Sequence, residues 1–130
     1  MNYNLLVDGR KRFIVLKVEG DLYRSAAATQ YSAALLLCRE EGIPRLLIDV
    51  RRARAVDSSR DQYSFVQFDL KRLFSQEAHP RMAVLTRKGD RSHGHVVLLM
   101  KQAGLEIEGF NELKAAEDFL EQRSEQYRVS

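Results

Sequence analysis

The chain has 130 residues, of which 45% are hydrophobic and 30% are charged. A chain of this size fits one domain that buries about two-thirds of its unfolded surface, and its composition is globular rather than disordered. The net charge of +3 comes from 21 basic and 18 acidic residues, an excess too small for a dedicated nucleic-acid-binding protein. We therefore expect one domain over residues 1–130 and no nucleic-acid partner.

The sequence carries no signal for a membrane or for secretion. No segment approaches the roughly 20 consecutive apolar residues that a membrane-spanning helix needs. Residues 1–4 lack the basic start and apolar core of a secretion signal. Cys38 is the single cysteine, so it cannot form an internal disulfide. We expect a cytoplasmic protein without stable membrane insertion.

The first third of the chain predicts two strands and a helix. Residues 3–7 and 13–18 are rich in β-branched and aromatic side chains, and Asp8-Gly9 between them is typical of a tight antiparallel hairpin turn. Helical spacing follows over residues 22–41, where one apolar stripe contains Cys38. Gly42 and Pro44 end this helix. Residues 45–50 are nearly all apolar, which predicts a strand covered on both faces.

Serine residues begin the second predicted helix, because the hydroxyl of Ser58 or Ser59 can accept a hydrogen bond from a free backbone N–H. The α-helical repeat predicts a buried stripe of Tyr63, Val66, Leu70, Leu73 and Phe74. Phe65 and Phe68 then lie on the opposite side. Aromatic residues often anchor interfaces, so we predict a homodimer through this surface. Alternatively, a neighbouring element covers more of the helix.

The remaining pattern completes an alternation of strands and helices. The predicted elements are a strand at 82–85, a helix containing Val96, Leu99, Met100 and Ala103, a strand at 105–107, and a helix capped by Asn111. The order β-β-α-β-α-β-α-β-α predicts a single α/β domain. Its sheet is mixed and mostly parallel, with an N-terminal antiparallel hairpin and four helices.

The spacing of two acids supports a family resemblance. Asp49 lies at a strand end, and Asp57 follows eight residues later, directly before Ser58 and Ser59 at a helix start. Matching segments also occur at residues 18–22, 81–85 and 103–110. On these residues the chain resembles the STAS superfamily, the domain of sporulation anti-sigma-factor antagonists. Within it, the chain is similar to the SpoIIAA-like group, which has a STAS/SEC14-type fold.

The resemblance implies a non-catalytic regulatory or binding module that acts through protein–protein contacts. It also implies that a partner kinase phosphorylates Ser59. Arg60 departs from the pattern, because those regulators have glycine at this position. The residues themselves leave a simpler role open, a helix cap that requires no kinase. We therefore predict a phosphorylation or partner site at Asp57, Ser58 and Ser59.

Patterns that carry catalytic or metal chemistry are scarce. No nucleophile elbow, Walker loop or Gly-x-Gly-x-x-Gly motif follows a strand. His93 and His95 have no Cys or acidic ligand cluster nearby in sequence, so they are expected to be solvated loop residues. Cys38 is expected to be a buried structural thiol, and Asp49 to bind loop N–H groups rather than form an acid–base pair with Asp57. We predict no enzyme, no metal and no cofactor.

Basic residues form a clearer group. Loops that follow neighbouring parallel strands open at the same edge of a sheet, and helix N-termini point there too. The basic residues of these two loops are Arg51, Arg52, Arg54, Arg87, Lys88 and Arg91. They predict an anion-binding edge for an acidic partner surface. The alternative function is a SEC14-like carrier or sensor of a small anionic or lipid-like ligand, which needs a pocket of about 300 Å³ or more.

Overall fold

The computed structural model of the chain describes residues 2–74 and 79–122. In chain order its elements are β1 (Asn2–Val7), β2 (Ile14–Leu22), α1 (Arg24–Glu41), β3 (Arg45–Ala55), α2 (Ser59–Ser64), a π-helical segment (Phe65–Leu70), α3 (Lys71–Phe74), β4 (Arg81–Leu85), α4 (Gly94–Gln102), β5 (Ile107–Phe110) and α5 (Leu113–Glu121). The helix formed by α2, the π-helical segment and α3 is continuous, and we call it the second helix. The described residues thus form five strands and four helices, as predicted.

The five strands form one mixed sheet in the order β1-β2-β3-β4-β5. β1 pairs with β2 in the antiparallel sense, and the other neighbours are parallel. Each parallel pair is joined by a helical crossover, which returns the chain to the same end of the sheet. The predicted fold class, a mostly parallel mixed sheet with an N-terminal antiparallel hairpin, is confirmed.

Helices cover the two faces of the sheet unequally. Side chains alternate between the faces along each strand, so every strand contributes to two layers. α1, the second helix and α4 pack on one face against apolar residues that include Ile14, Leu46, Val50 and Met82. On the other face, α5 packs on a smaller cluster that contains Phe13, Val15, Leu47, Ala83 and Leu85. The large core therefore lies under the three helices.

Two arginines hold α5 on its face of the sheet. The guanidinium of Arg12 lies 3.5 Å from the carboxylate of Glu117 and 3.2 Å from that of Glu121. Arg81 donates a hydrogen bond of 3.0 Å to the Phe119 carbonyl, and its guanidinium also lies over the Phe119 ring. These contacts add polar anchors to the apolar packing of the helix.

The hairpin between β1 and β2 turns through a longer loop than predicted. The N–H of Asp8 donates to the Phe13 carbonyl at 3.0 Å, and the N–H of Lys11 donates to the Asp8 carbonyl at 2.7 Å. Lys11 has a positive φ of 55°, whereas Gly9 does not. The predicted tight turn at Asp8-Gly9 is wrong, because an ion pair of 2.9 Å between Asp8 and Arg12 closes a wider loop.

The buried side of the second helix differs from the predicted one. Its α-helical hydrogen bonds continue to the N–H of Phe65, so the π-helical segment begins only after this side is established. Phe65, Val66 and Leu70 are buried, and Phe65 is only 7% exposed. Tyr63 is 51% exposed and Phe68 is 60% exposed. The prediction is therefore wrong for Tyr63 and Phe65, and Phe65 cannot belong to a dimer surface.

The last strand and helix begin later than predicted. The N–H of Leu105 donates to the Met100 carbonyl at 3.1 Å, so Leu105 belongs to the turn after α4 rather than to a strand. The N-cap of α5 is Glu112 instead of Asn111, and no side chain caps it. Both differences are shifts of one or two residues, the usual uncertainty of element ends.

The two phenylalanines of the second helix lead to a test with chemically identical substitutions. We expect Phe65→Ala to lower the free energy of unfolding by about 3–5 kcal/mol, because it removes a ring buried in the core. We expect a clearly smaller effect from Phe68→Ala, because that ring is exposed in the single chain. Urea denaturation followed by circular dichroism measures both values. Similar values for the two variants would contradict this arrangement of the helix.

Candidate functional site

β3 is longer than predicted and continues to Ala55. Its pairing with β2 shifts between Lys17 and Glu19, since Lys17 lies opposite Asp49 whereas Glu19 lies opposite Arg52. The extra residue on β3 makes a β-bulge, after which the two strands remain paired. The prediction of a basic loop after residue 50 is therefore wrong, because its polar residues continue the sheet.

The three arginines at this end of β3 (Arg51, Arg52 and Arg54) are exposed, but they differ in their partners. The Arg51 guanidinium donates two hydrogen bonds to the Asp49 carboxylate, at 3.0 and 2.8 Å. Arg52 lies 3.6 Å from the Glu19 carboxylate. Two of the three charges are therefore paired along the sheet.

Asp49 has a structural role in this arrangement. Burial raises the pKa of its carboxyl, but the hydrogen bonds and charge of Arg51 outweigh burial and leave the pKa below the ordinary value. Along β3, Asp49 alternates with Val50, which faces the helices. Asp57 lines the cavity on the helix side together with Val50. The two acids therefore lie on different faces and do not form an acid–base pair.

The second basic group lies in the loop between β4 and α4. Arg54 of β3 lines one concavity with Arg87, Lys88 and Arg91. Arg87 also lines a neighbouring concavity that contains Arg51 and Arg52. The structure thus brings all six predicted basic residues to one edge of the sheet. Anion binding at this edge stays a prediction.

His93 is buried instead of solvated, so the prediction for this residue is wrong. Its side chain is enclosed, and the whole residue is 3% exposed. The ring atom Nε2 lies 3.0 Å from the Ala53 carbonyl oxygen and 3.6 Å from the Asp90 carboxylate. The extension of β3 supplies that carbonyl, because Ala53 lies in the part of the strand that was not predicted. His95 is exposed, as expected.

Ser92 was missed by sequence reasoning, although it connects the loop to β3. Its hydroxyl accepts a hydrogen bond of 3.0 Å from the Ala55 N–H. Its own N–H donates to the Asp90 carboxylate at 2.9 Å, which holds the pKa of Asp90 below the ordinary value. An acidic side chain that accepts from the N–H two residues later forms an Asx turn. The spacing of Asp90 and Ser92 was the available signal.

The serine segment at residues 57–59 begins the second helix. The Ser58 hydroxyl accepts a hydrogen bond of 3.1 Å from the Asp61 N–H, which confirms that a serine caps this helix. Ser59 is the first residue of α2 and is exposed. The cap is therefore Ser58, and the Ser59 hydroxyl faces the surface.

Asp57 connects the serine segment to α1. Its carboxylate accepts a hydrogen bond from the backbone N–H of Arg24, the first residue of α1. The N-cap residue of that helix, Tyr23, provides no side-chain acceptor, so Asp57 satisfies an N–H that would otherwise lack a partner. Burial raises the pKa of Asp57, and this hydrogen bond opposes the increase.

The apolar cavity between the sheet and the three helices is small. Its lining includes Val18, Ala27, Tyr31, Phe65 and Met100, and its volume is about 100 Å³. Pockets for small molecules usually measure about 300–1,000 Å³. The SEC14-like carrier or sensor therefore has no support from this cavity.

Cys38 is buried, as predicted, and burial raises the pKa of its thiol to about 11. Across residues 2–74 and 79–122, no group of three or more His, Cys, Asp or Glu residues could hold a metal ion. Within the same ranges, every helix is too short or too polar to cross a membrane.

Comparison with known proteins gives similarity at the level of fold. No protein-family model matches the chain, and no curated protein matches it. The chain is similar to the solved structure of the anti-sigma factor antagonist SpoIIAA in its unphosphorylated form, with 16% identity and a TM-score of 0.49 over 95% of this chain and 100% of that one. The phosphorylated form of the Bacillus cell fate determinant SpoIIAA matches with 15% identity and a TM-score of 0.49, over 90% of this chain and 98% of that one. This similarity concerns the fold alone.

The Asp49–Arg51 pair predicts a pH-dependent loss of stability in Asp49→Asn. A carboxyl with a lowered pKa in the folded state stabilises that state above its unfolded pKa of about 3.8, and this contribution is lost as the pH falls. We expect Asp49→Asn to cost about 1–2 kcal/mol at pH 7 and progressively less below pH 4. Urea denaturation across this pH range measures the difference.

Glu19→Gln is the matched control, because it also converts an acid to an amide beside an arginine, but in an exposed pair. We expect a change of less than about 0.5 kcal/mol at every pH. A cost for Asp49→Asn that does not change with pH would show that the Arg51 contact is not electrostatic.

Proposed function

We propose that the protein is a non-enzymatic regulatory module that binds a protein partner through the exposed side of the second helix. The observation that carries the proposal is a row of three exposed residues, Ser59, Tyr63 and Phe68, which we call the aromatic stripe. Ser59 and Tyr63 are four residues apart in α2, and Phe68 follows five residues later in the π-helical segment. The α repeat places Ser59 and Tyr63 on one side of the helix, and Phe68 is exposed one turn further along it.

Two exposed rings on one helix are well suited to protein binding. Aromatic side chains bury about 150–250 Å² each when they are covered, and they supply much of the binding energy at interfaces. A polar border lies beside Phe68, where Arg24 donates hydrogen bonds of 2.8 and 3.1 Å to the Asp69 carboxylate. An apolar centre with a polar rim is the usual composition of an interface.

The groups most capable of catalysis are engaged in structural contacts, which supports a non-enzymatic role. The Cys38 thiol is buried, and a thiol with a pKa of about 11 is a poor nucleophile at neutral pH. The Nε2 atom of His93 is bonded to the Ala53 carbonyl. Asp49 is paired with Arg51.

Ser59 is the proposed point of regulation. It lies at one end of the aromatic stripe, and Ser58 already provides the helix cap, so modification of Ser59 leaves the cap intact. A phosphate would add a charge of about −1.5 to −2 beside the stripe, close to the acidic Asp61. That charge would weaken the docking of an apolar partner surface and would favour a basic one.

Photocrosslinking tests this function, with benzoylphenylalanine placed at position 63 or 68 of the protein in the cells in which it naturally occurs. We expect crosslinked adducts of defined mass from both positions, because both rings lie in the proposed interface. The control position is Leu98 on α4, which is also 51% exposed. Ser59→Glu is expected to reduce the adduct from position 63 at least about threefold, the effect of a repulsion near 0.7 kcal/mol. Equal adducts from positions 63, 68 and 98 would refute the proposed surface.

A second copy of this chain is the proposed partner in the purified protein. Static light scattering is expected to give twice the monomer mass of 15.0 kDa for the wild type and 15.0 kDa for Tyr63→Glu/Phe68→Glu. The control Leu36→Glu/Leu98→Glu also replaces two exposed apolar residues and should keep the wild-type mass. A monomeric wild type would exclude the homodimer and leave a different protein as the partner.

A further inference from the structure

The basic edge of the sheet contains two kinds of cation. Arg51 and Arg52 face the carboxylates of Asp49 and Glu19, as described above. Arg54, Arg87, Lys88 and Arg91 are exposed, and none of them forms an ion pair with a carboxylate of the described residues. Together with Gly89, Asp90 and Ser92, these four residues line a concavity of about 620 Å³, which we call the basic basin.

One acid, Asp90, also lines the basin. Its side chain is 11% exposed and accepts the N–H of Ser92, while its second oxygen lies 3.6 Å from Nε2 of the buried His93. The charge of Arg54 helps to hold the pKa of Asp90 below the ordinary value, so this acid offsets part of the positive charge. Four cations against one carboxylate still leave an excess of positive charge around the basin.

The backbone beneath the basin is fixed by several hydrogen bonds. The N–H of Asp90 donates to the Arg87 carbonyl at 3.0 Å, and the N–H of Ala55 donates to the Ser92 hydroxyl at 3.0 Å. Gly89 has a φ of 88°, a conformation that glycine adopts without strain. The cations thus extend from a preorganised loop, which lowers the entropic cost of binding.

We propose that the basic basin binds an acidic segment of a protein partner, an inference that rests on the proposed role as a protein-binding module. Guanidinium groups bind carboxylates through paired hydrogen bonds, and four separate cations suit several carboxylates along an extended chain. Among the described residues that line the basin, none is aromatic, so it lacks the stacking platforms that single-stranded nucleic acids use. The basin also lies off the second helix, so it is a surface separate from the aromatic stripe.

The test uses a fluorescein-labelled twelve-residue peptide of alternating Glu and Gly, with fluorescence anisotropy in 150 mM NaCl. Wild type is expected to bind it saturably. Arg87→Gln/Lys88→Gln/Arg91→Gln should weaken binding about tenfold, since exposed pairs each contribute a factor of roughly 1.4 to 5. The matched control, Arg10→Gln/Arg60→Gln/Lys71→Gln, removes the same charge from exposed residues outside the basin and should bind like the wild type.

Three results would overturn the proposal. The first is no peptide binding by the wild type in 150 mM NaCl. The second is an equal loss in the two triple variants, which would indicate non-specific charge attraction. The third is tighter basin-dependent binding of a labelled dT12 oligonucleotide or of pyrophosphate than of the peptide. Tyr63→Glu/Phe68→Glu is expected to bind the peptide normally, so failure of the aromatic stripe as an interface remains distinguishable from failure of the basin.

Discussion

Beyond the β-bulge, β3 stays paired with β2 for four more residue pairs, from Glu19–Arg52 to Leu22–Ala55. The bulge reverses the facing of every later side chain on β3, so that Ala53 packs in the core while the neighbouring arginine side chains stay exposed. The backbone of these last residues of β3 then holds the loop between β4 and α4 by two hydrogen bonds. The Ala53 carbonyl bonds to the His93 ring, and the Ala55 N–H donates to the Ser92 hydroxyl. The position of the basic basin therefore depends on one pairing between two strands.

A second irregularity lies at the other candidate surface. The π-helical segment of the second helix begins at Phe65, which is buried, and contains Phe68, which is exposed. In the sheet, the bulge adds one residue to β3. Both candidate surfaces thus lie where a regular element departs from its repeat. Such departures are costly to pack unless the surrounding core holds them, and both are enclosed by buried apolar side chains here.

The sequence alone predicts those features of the fold that depend on residues close together in the chain. The order of strands and helices, the burial of Cys38 and the serine cap at Ser58 follow from apolar spacing and capping preferences. The buried side of the second helix could not be predicted in this way, because apolar and aromatic residues lie on more than one side of it. The burial of His93 could not be predicted either, because its hydrogen-bond partner Ala53 lies 40 residues earlier in the chain. A polar side chain can be buried when a distant part of the fold supplies its hydrogen-bond partner. The local sequence pattern does not indicate such a partner.

The unequal coverage of the sheet has a consequence for how the molecule loses its structure. Among the described helices, α5 alone packs on the face that contains Phe13, Leu47 and Leu85. Its ion pairs with Arg12 are partly exposed, so salt weakens them more than it weakens the buried contacts. We therefore expect detachment of α5 to be a subglobal opening that costs less than complete unfolding. The open form would expose an apolar sheet surface with the rest of the fold intact, which makes this helix the expected starting point for aggregation.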